Sequence, residues 1–304
     1  MEFLRLLENL RTPFGDTFFS IITHLGEETL FIIVGLLFFW CINKKQGYYI
    51  LSVGFLGTVI NQFLKLLFRI PRPWVKDPDF TIVESARAEA TGYSFPSGHT
   101  QSAVGVFGSI ARVSKKILTR ILCIAACLLV PLSRMYLGVH TPLDVGVSFI
   151  IAILLIFVLY PAVEWALAEP KHMRIYLGIM TMLSFFFLLF VLLYNFPADI
   201  DPDNYASGVK NAYKILGCVL GLWLAYEIDA RYIHFDTKGI WWVQVLKLVL
   251  GLIPLLAIKS GLKVPLYSLC NGNYVADGIR YFLITAFAGG IWPMTFKFFR
   301  KLEK

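Results

Sequence analysis

Long apolar runs recur along this 304-residue chain between short polar breaks, and no other feature restricts its folding so strongly. About 20 consecutive apolar residues make one helix long enough to cross the hydrocarbon core of a bilayer. In that core every backbone N–H and C=O must be paired inside its own helix or around a closed barrel, so repeated runs of this length predict a helix bundle. We place spans near residues 25–43, 46–68, 97–113, 117–135, 142–168, 175–196, 211–230, 240–259 and 275–298. Gly26, Glu27 and Glu28 interrupt the first run, and 15–24 is also largely apolar. The fold class expected is all-α, a polytopic membrane bundle of about nine spans. Composition agrees, at 57% hydrophobic and 16% charged residues, against about 45–50% and about 25% in soluble domains.

The polar remainder narrows the class further. The net charge of +8 is spread among apolar runs without a basic, aromatic-interleaved patch, which excludes nucleic acid as a partner. The five cysteines include no CxxC pair and read as packing residues. Residues 1–14 carry Glu2 and Glu8 and lack a basic leader, while Phe3, Leu4, Leu6, Leu7 and Leu10 suit an amphipathic helix in the membrane interface. Residues 15–196 then form a membrane core, and 197–304 a three-span C-terminal extension of unassigned role. Lys44 and Lys45, Arg112, Lys115, Lys116 and Arg120, Lys171 and Arg174, Arg231 and Lys238, and Lys297, Arg300, Lys301 and Lys304 all fall in connections on one side of this map. By the positive-inside rule that side is cytoplasmic. Asp199, Asp201 and Asp203 read as a solvated acidic loop, since Asn204 and Lys210 stand where a calcium loop needs glycine and glutamate. Gly217 and Gly221 read as helix-packing residues, and Trp241, Trp242, Tyr274, Tyr281 and Trp292 as membrane-interface aromatics.

Four span ends meet on the opposite, non-cytoplasmic side. They carry Lys65 with Arg72, then Pro96-Ser97-Gly98-His99, then Arg134, and finally His140 with Asp144. Ser97 is a good N-cap, and Gly98 puts no side chain between a ligand and the backbone. The unpaired N–H groups of a helix start favour an anion, and His99 in that first turn can exchange a proton near neutral pH. Arginine grips two phosphate oxygens at once, whereas lysine supplies a point charge. The combination suggests a phosphoryl site.

Read in order, Lys65-x6-Arg72-Pro73, Pro96-Ser97-Gly98-His99 and Ser133-Arg134-x5-His140-x3-Asp144 resemble the signature of the type 2 phosphatidic acid phosphatase (PAP2) superfamily, which also includes vanadium haloperoxidases. The resemblance covers roughly residues 25–196. It implies a phosphohistidine mechanism without metal or cofactor, in which His140 is the nucleophile, Asp144 orients it and His99 protonates the leaving oxygen. Lys65, Arg72 and Arg134 would hold the phosphate, with Ser97 and the Gly98 N–H completing the cradle. No carboxylate cluster able to hold Mg2+ stands out beside these residues in the sequence. The expected partner is a phosphorylated lipid in the bilayer, its phosphate at headgroup depth. Phosphatidate, phosphatidylglycerophosphate, polyprenyl (undecaprenyl) diphosphate, sphingoid phosphate and sugar phosphate remain open as substrates.

Plainer roles compete at each position. Lys65 and Arg72 have the placing of snorkelling interface anchors, and Thr141-Pro142-Leu143-Asp144 has the form of a helix cap. Capping would also hold the Asp144 carboxylate beside His140. Tyr93 and Phe95 suit loop packing as well as substrate contact, and Asp277 and Arg280 can pair across one helical turn. A non-catalytic anion or lipid transporter is the alternative from another class, although binding alone requires neither the His140–Asp144 pair nor a second histidine.

Overall fold

The computed structural model describes residues 1–303, so Lys304, placed above with the cytoplasmic basic residues, lies outside them. The chain is 81% helical and forms no strand among the described residues, the outcome that a bilayer solvent enforces. Fourteen α-helices follow one another: α1 (Glu2–Asn9), α2 (Pro13–Thr23), α3 (Glu28–Leu37), α4 (Lys44–Phe68), α5 (Pro73–Lys76), α6 (Gly98–Val113), α7 (Ile117–Tyr136), α8 (Pro142–Ala168), α9 (Pro170–Leu193), α10 (Pro202–Ile228), α11 (Trp241–Gly261), α12 (Lys263–Leu269), α13 (Val275–Ala286) and α14 (Phe296–Phe299). Proline at the first helical position starts α2, α5, α8, α9 and α10, where the missing N–H leaves no bond unmade.

Among the described residues six helical stretches are long and apolar enough to cross a membrane, or seven if the bent pair Pro13–Gly26 and Glu28–Ile42 is one span. Nine is an approximate count, because the stretches near 97–113 and 211–230 are not among these by length and composition. Helix α6 has only 16 residues, about 24 Å of helix against a core of about 30 Å. Helix α10 has 27 residues but carries Asp203, Asn204, Lys210, Asn211, Lys214 and Glu227 among its apolar positions.

The chain divides into two compact units. The first comprises Met1–Ile32, Ile50–Tyr160 and Asp199–Tyr205. At its centre lies α6, burying Thr100, Gln101, Ala103, Val104, Gly105, Val106, Ser109 and Ile110. Protein rather than lipid therefore surrounds much of it, which removes the length requirement of a lipid-facing span. Glycines set two of its close approaches: a Cβ on Gly105 would lie 3.3 Å from Val53, and one on Gly57 in α4 would lie 2.6 Å from the Gln101 amide nitrogen. Helix α1 is held at the rim of this unit. Its Leu4 is buried against Phe80 and Ile82, and Arg5 bonds Asp77 at 2.6 Å. Phe3, Leu6 and Leu10 are exposed.

The second unit comprises Ile33–Tyr49, Pro161–Ala198 and the chain from Ala206 onward. Gly217 and Gly221 bring α10 against α13 here; a Cβ on Gly217 would lie 2.8 Å from the Gly278 carbonyl carbon, and one on Gly221 3.1 Å from the Ala286 nitrogen. Asp277 pairs with Arg280 one turn on, and Tyr267 donates to the same carboxylate. Trp241 and Trp242 are exposed and Tyr281 is buried, while Trp292 is half-buried and packs against Phe296 and Phe299. In the first unit Asp201 serves as a helix cap. Its carboxylate caps α10 through the Asn204 N–H at 2.7 Å.

Candidate active site

The first unit gathers the ends of α4, α6, α7 and α8 at one place. Ser97 begins it, as an N-cap whose Oγ accepts from the Thr100 hydroxyl at 3.0 Å and the Thr100 N–H at 3.4 Å. Gln101 N–H closes the first helical bond onto the Ser97 carbonyl. The N–H groups of Gly98 and His99 head the helix, where no intrahelical acceptor exists. A Cβ on Gly98 would meet only Asn61 Oδ1, at 3.8 Å. Protein packing therefore leaves the space beside this backbone open, as an anion cradle needs. The Ser97 N–H bonds the Asp144 carbonyl at 3.1 Å, which ties the start of α6 to the start of α8.

Thr141 and Asp144 form the expected reciprocal cap of α8. Thr141 N–H donates to Asp144 Oδ2 at 2.8 Å, and Asp144 N–H donates to Thr141 Oγ1 at 3.3 Å. Ser94 Oγ also donates to that Oδ2, at 2.5 Å, and His140 Nδ1 lies 3.5 Å from it. The cap thus aims the carboxylate at the histidine.

Arg72 takes the other edge of the same ring. Its Nη1 is 2.9 Å from His140 Nε2, and Nε, Nη1 and Nη2 donate to the carbonyls of Gly92, Val139 and Thr91 at 3.0, 2.9 and 2.8 Å. A guanidinium only donates, so Nε2 must be the accepting, unprotonated nitrogen and the ring proton sits on Nδ1, towards Asp144. Burial, with Arg72, Arg134 and Lys65 around it, holds the imidazole well below its ordinary pKa and therefore neutral.

Two more cations complete the cluster. Lys65 donates to the Tyr93 carbonyl, while the Tyr93 and Phe95 side chains are buried in loop packing, Phe95 edge-on to Phe68. Arg134 is wholly buried, and only Nη1 has a partner, Thr23 Oγ1 at 2.7 Å. Its Nε and Nη2 are buried donors without an acceptor among the described residues. Such donors are rare unless a ligand satisfies them. Lys65, Arg72, Ser97, Arg134, His140 and Asp144 are all 7% exposed or less, whereas the His99 side chain is 16% exposed.

Every site residue expected from the sequence is therefore in this cluster. The supporting shell was not foreseen: Ser94 on Asp144, Thr23 on Arg134, and the Thr91, Gly92 and Val139 carbonyls on Arg72. One expectation is revised. Glu89 Oε2 lies 3.4 Å from His99 Nε2, and His24, Glu27 and Glu89 bring ligand atoms within 4.8 Å of one another, so two carboxylates do stand next to the cluster. Among the described residues these three are the group with the spacing to hold a metal ion. Glu89 is far from the other two in sequence, and His24 and Glu27 lie at the break between α2 and α3.

The class this defines is a polytopic membrane protein with a buried polycationic centre built round a His–Asp pair. The chain belongs to the PAP2 superfamily. It matches that superfamily over residues 45–168, and the transmembrane extension of PAP2 superfamily phosphatases over 213–304, the region that sequence reasoning left without a counterpart. It is similar to a probable sphingosine-1-phosphate phosphatase of Dictyostelium discoideum, at 29% identity over 48% of this chain and 38% of the relative. It is also similar to an undecaprenyl-diphosphatase of Bacillus subtilis, at 32% over 39% of the chain and 58% of the relative. With phosphatidylglycerophosphatase B of the same organism the identity is 31% over 49% and 75%. The matched region thus spans little more than a third of the first relative and over half of the second. No solved structure matches the chain.

Proposed function

We propose that this protein is an integral-membrane phosphatase that hydrolyses a lipid phosphomonoester or diphosphate through a phosphohistidine at His140, with its site opening on the non-cytoplasmic face. One observation carries the proposal: the lone pair of His140 Nε2 faces the arginine that would hold the phosphate, while Nδ1–H faces a carboxylate. When phosphate enters, Arg72 Nη1 transfers its bond from Nε2 to a phosphate oxygen. Nε2 attacks phosphorus, the P–O bond to the alcohol breaks, and His99 gives its proton to the departing oxygen. Water then attacks phosphorus, the P–Nε2 bond breaks, and His99 takes the water proton. Through both steps Lys65, Arg72, the free N–H groups of Arg134 and the start of α6 hold the equatorial oxygens, and Asp144 stabilises the charge on His140.

Residues 15–196 carry this chemistry, with 1–14 at the interface and 197–304 as an extension. A lipid substrate is favoured by an apolar groove of about 430 Å³ lined by Phe3, Met135, Pro142, Val145, Phe149 and Ile150. Its α8 residues follow helical spacing on the first turns of the helix that carries Asp144. An alkyl chain there would leave its phosphate near the helix start. The relatives' names point to sphingoid phosphate, undecaprenyl diphosphate and phosphatidylglycerophosphate, and these are the substrates to compare. Purified protein assayed in parallel on the three lipids and on glucose 6-phosphate should release phosphate from at least one lipid far faster than from the sugar. Preference for the sugar, or no release from any, would refute the reading.

A further inference from the structure

Glu89 lies in the loop before α6, and nothing in the phosphate cradle requires it. Its Oε2 is 3.4 Å from His99 Nε2, and its Oε1 is 3.8 Å from His24 Nδ1, which also pairs with Glu27. The turn bearing His24 and Glu27 is pressed onto the same histidine. A Cβ on Gly26 would lie 2.8 Å from the His99 carbonyl oxygen, 2.9 Å from His99 Cβ and 3.0 Å from Val130. Only glycine allows that approach. Three segments thus meet on His99, and the charged groups facing Glu89 from them are His24, Glu27 and His99, with Arg134 farther off.

We propose that Glu89 is a positioning residue for His99: its carboxylate accepts Nε2–H, so the ring presents Nδ1–H to the leaving oxygen and its imidazolium form gains a counter-charge among the cations. The proposal rests on the phosphatase reading above. It makes a second histidine–carboxylate pair beside His140–Asp144, with the opposite nitrogen turned to the substrate. Protons balance without a co-reactant. The Nδ1 proton passes to the leaving oxygen as the P–O bond breaks, Nε2–H stays between ring and carboxylate, and the water proton returns to Nδ1 when the P–N bond breaks.

The test compares full-length Glu89→Gln and Glu89→Asp with wild type in detergent, on dodecyl phosphate and on p-nitrophenyl phosphate. Glu89→Gln should lower kcat on dodecyl phosphate by about 10-fold or more, part of the 10²- to 10⁴-fold that a positioned acid contributes. KM should change little, and p-nitrophenyl phosphate, whose phenolate leaves without a proton, should lose much less. The imidazolium loses its counter-charge in this variant, so the alkaline limb of the kcat profile on dodecyl phosphate should move to lower pH. Glu89→Asp should restore part of both effects. Equal loss on the two substrates, an unmoved alkaline limb, or a wild-type response to EDTA that mimics Glu89→Gln would overturn the proposal. A wild type that turns over neither substrate would overturn the phosphatase reading with it, whereas an active wild type matched by Glu89→Gln would overturn the Glu89 role alone.

Discussion

Replacing Asp144 by asparagine separates charge from geometry at the proposed nucleophile. One oxygen, Oδ2, accepts from Ser94 Oγ at 2.5 Å and Thr141 N–H at 2.8 Å and also faces His140 Nδ1 at 3.5 Å. In Asp144→Asn those two donors select the amide oxygen for that position and keep the NH2 group away from it. His140 then still meets an acceptor and keeps its proton on Nδ1. What is lost is the negative charge, in the two bonds and opposite the phosphohistidine. The bonds weaken by about 1 kcal/mol each, the difference between charged and neutral acceptors, so the variant should fold with a modestly lower melting temperature. In histidine–aspartate systems where the asparagine also imposes the wrong tautomer the loss is about 10⁴-fold. With the tautomer preserved we expect about 10²-fold in single-turnover kcat, or about 3 kcal/mol. Adding Ser94→Ala removes the shorter of the two anchoring bonds and lets the amide turn, so the double variant should fall towards 10⁴-fold. Rapid-quench phosphate release, with melting curves in the same detergent, measures both quantities. A loss under fivefold in Asp144→Asn, or a double variant no slower than the single one, would refute the reasoning.

His99→Ala should nearly abolish turnover of an alkyl phosphate, by about 10²- to 10⁴-fold, yet retain more activity on p-nitrophenyl phosphate; parallel kinetics on the two substrates check this. Activity should persist in EDTA and fall with vanadate, which mimics a trigonal-bipyramidal phosphorus; loss in EDTA with recovery in Mg2+ would assign a catalytic metal to the His24, Glu27 and Glu89 group. A cysteine at Lys115 or Lys116 should resist an impermeant thiol reagent in intact cells, while one placed within 77–90 reacts; the reverse pattern would put the site in the cytoplasm.

The sequence disclosed the cluster because its residues sit in short local patterns at helix ends. Ser97 caps α6 and Thr141 with Asp144 caps α8 through contacts three residues apart, and such contacts are written in the sequence. Thr23 on Arg134, Ser94 on Asp144 and Glu89 on His99 come from segments brought together only by packing. No local pattern announces them. The span count is approximate for a related reason: apolar content cannot distinguish α6, enclosed by neighbouring helices, from a helix bathed in lipid.

The most direct measurement is capture of the covalent intermediate. Wild type and His99→Ala, quenched during turnover of a 32P-labelled lipid phosphate, should carry protein-bound label that is stable in base and labile in acid, as a phosphohistidine is, and His140→Ala should carry none. Label of the same stability in His140→Ala, or its absence from an active wild type, would contradict the assignment of His140 as nucleophile.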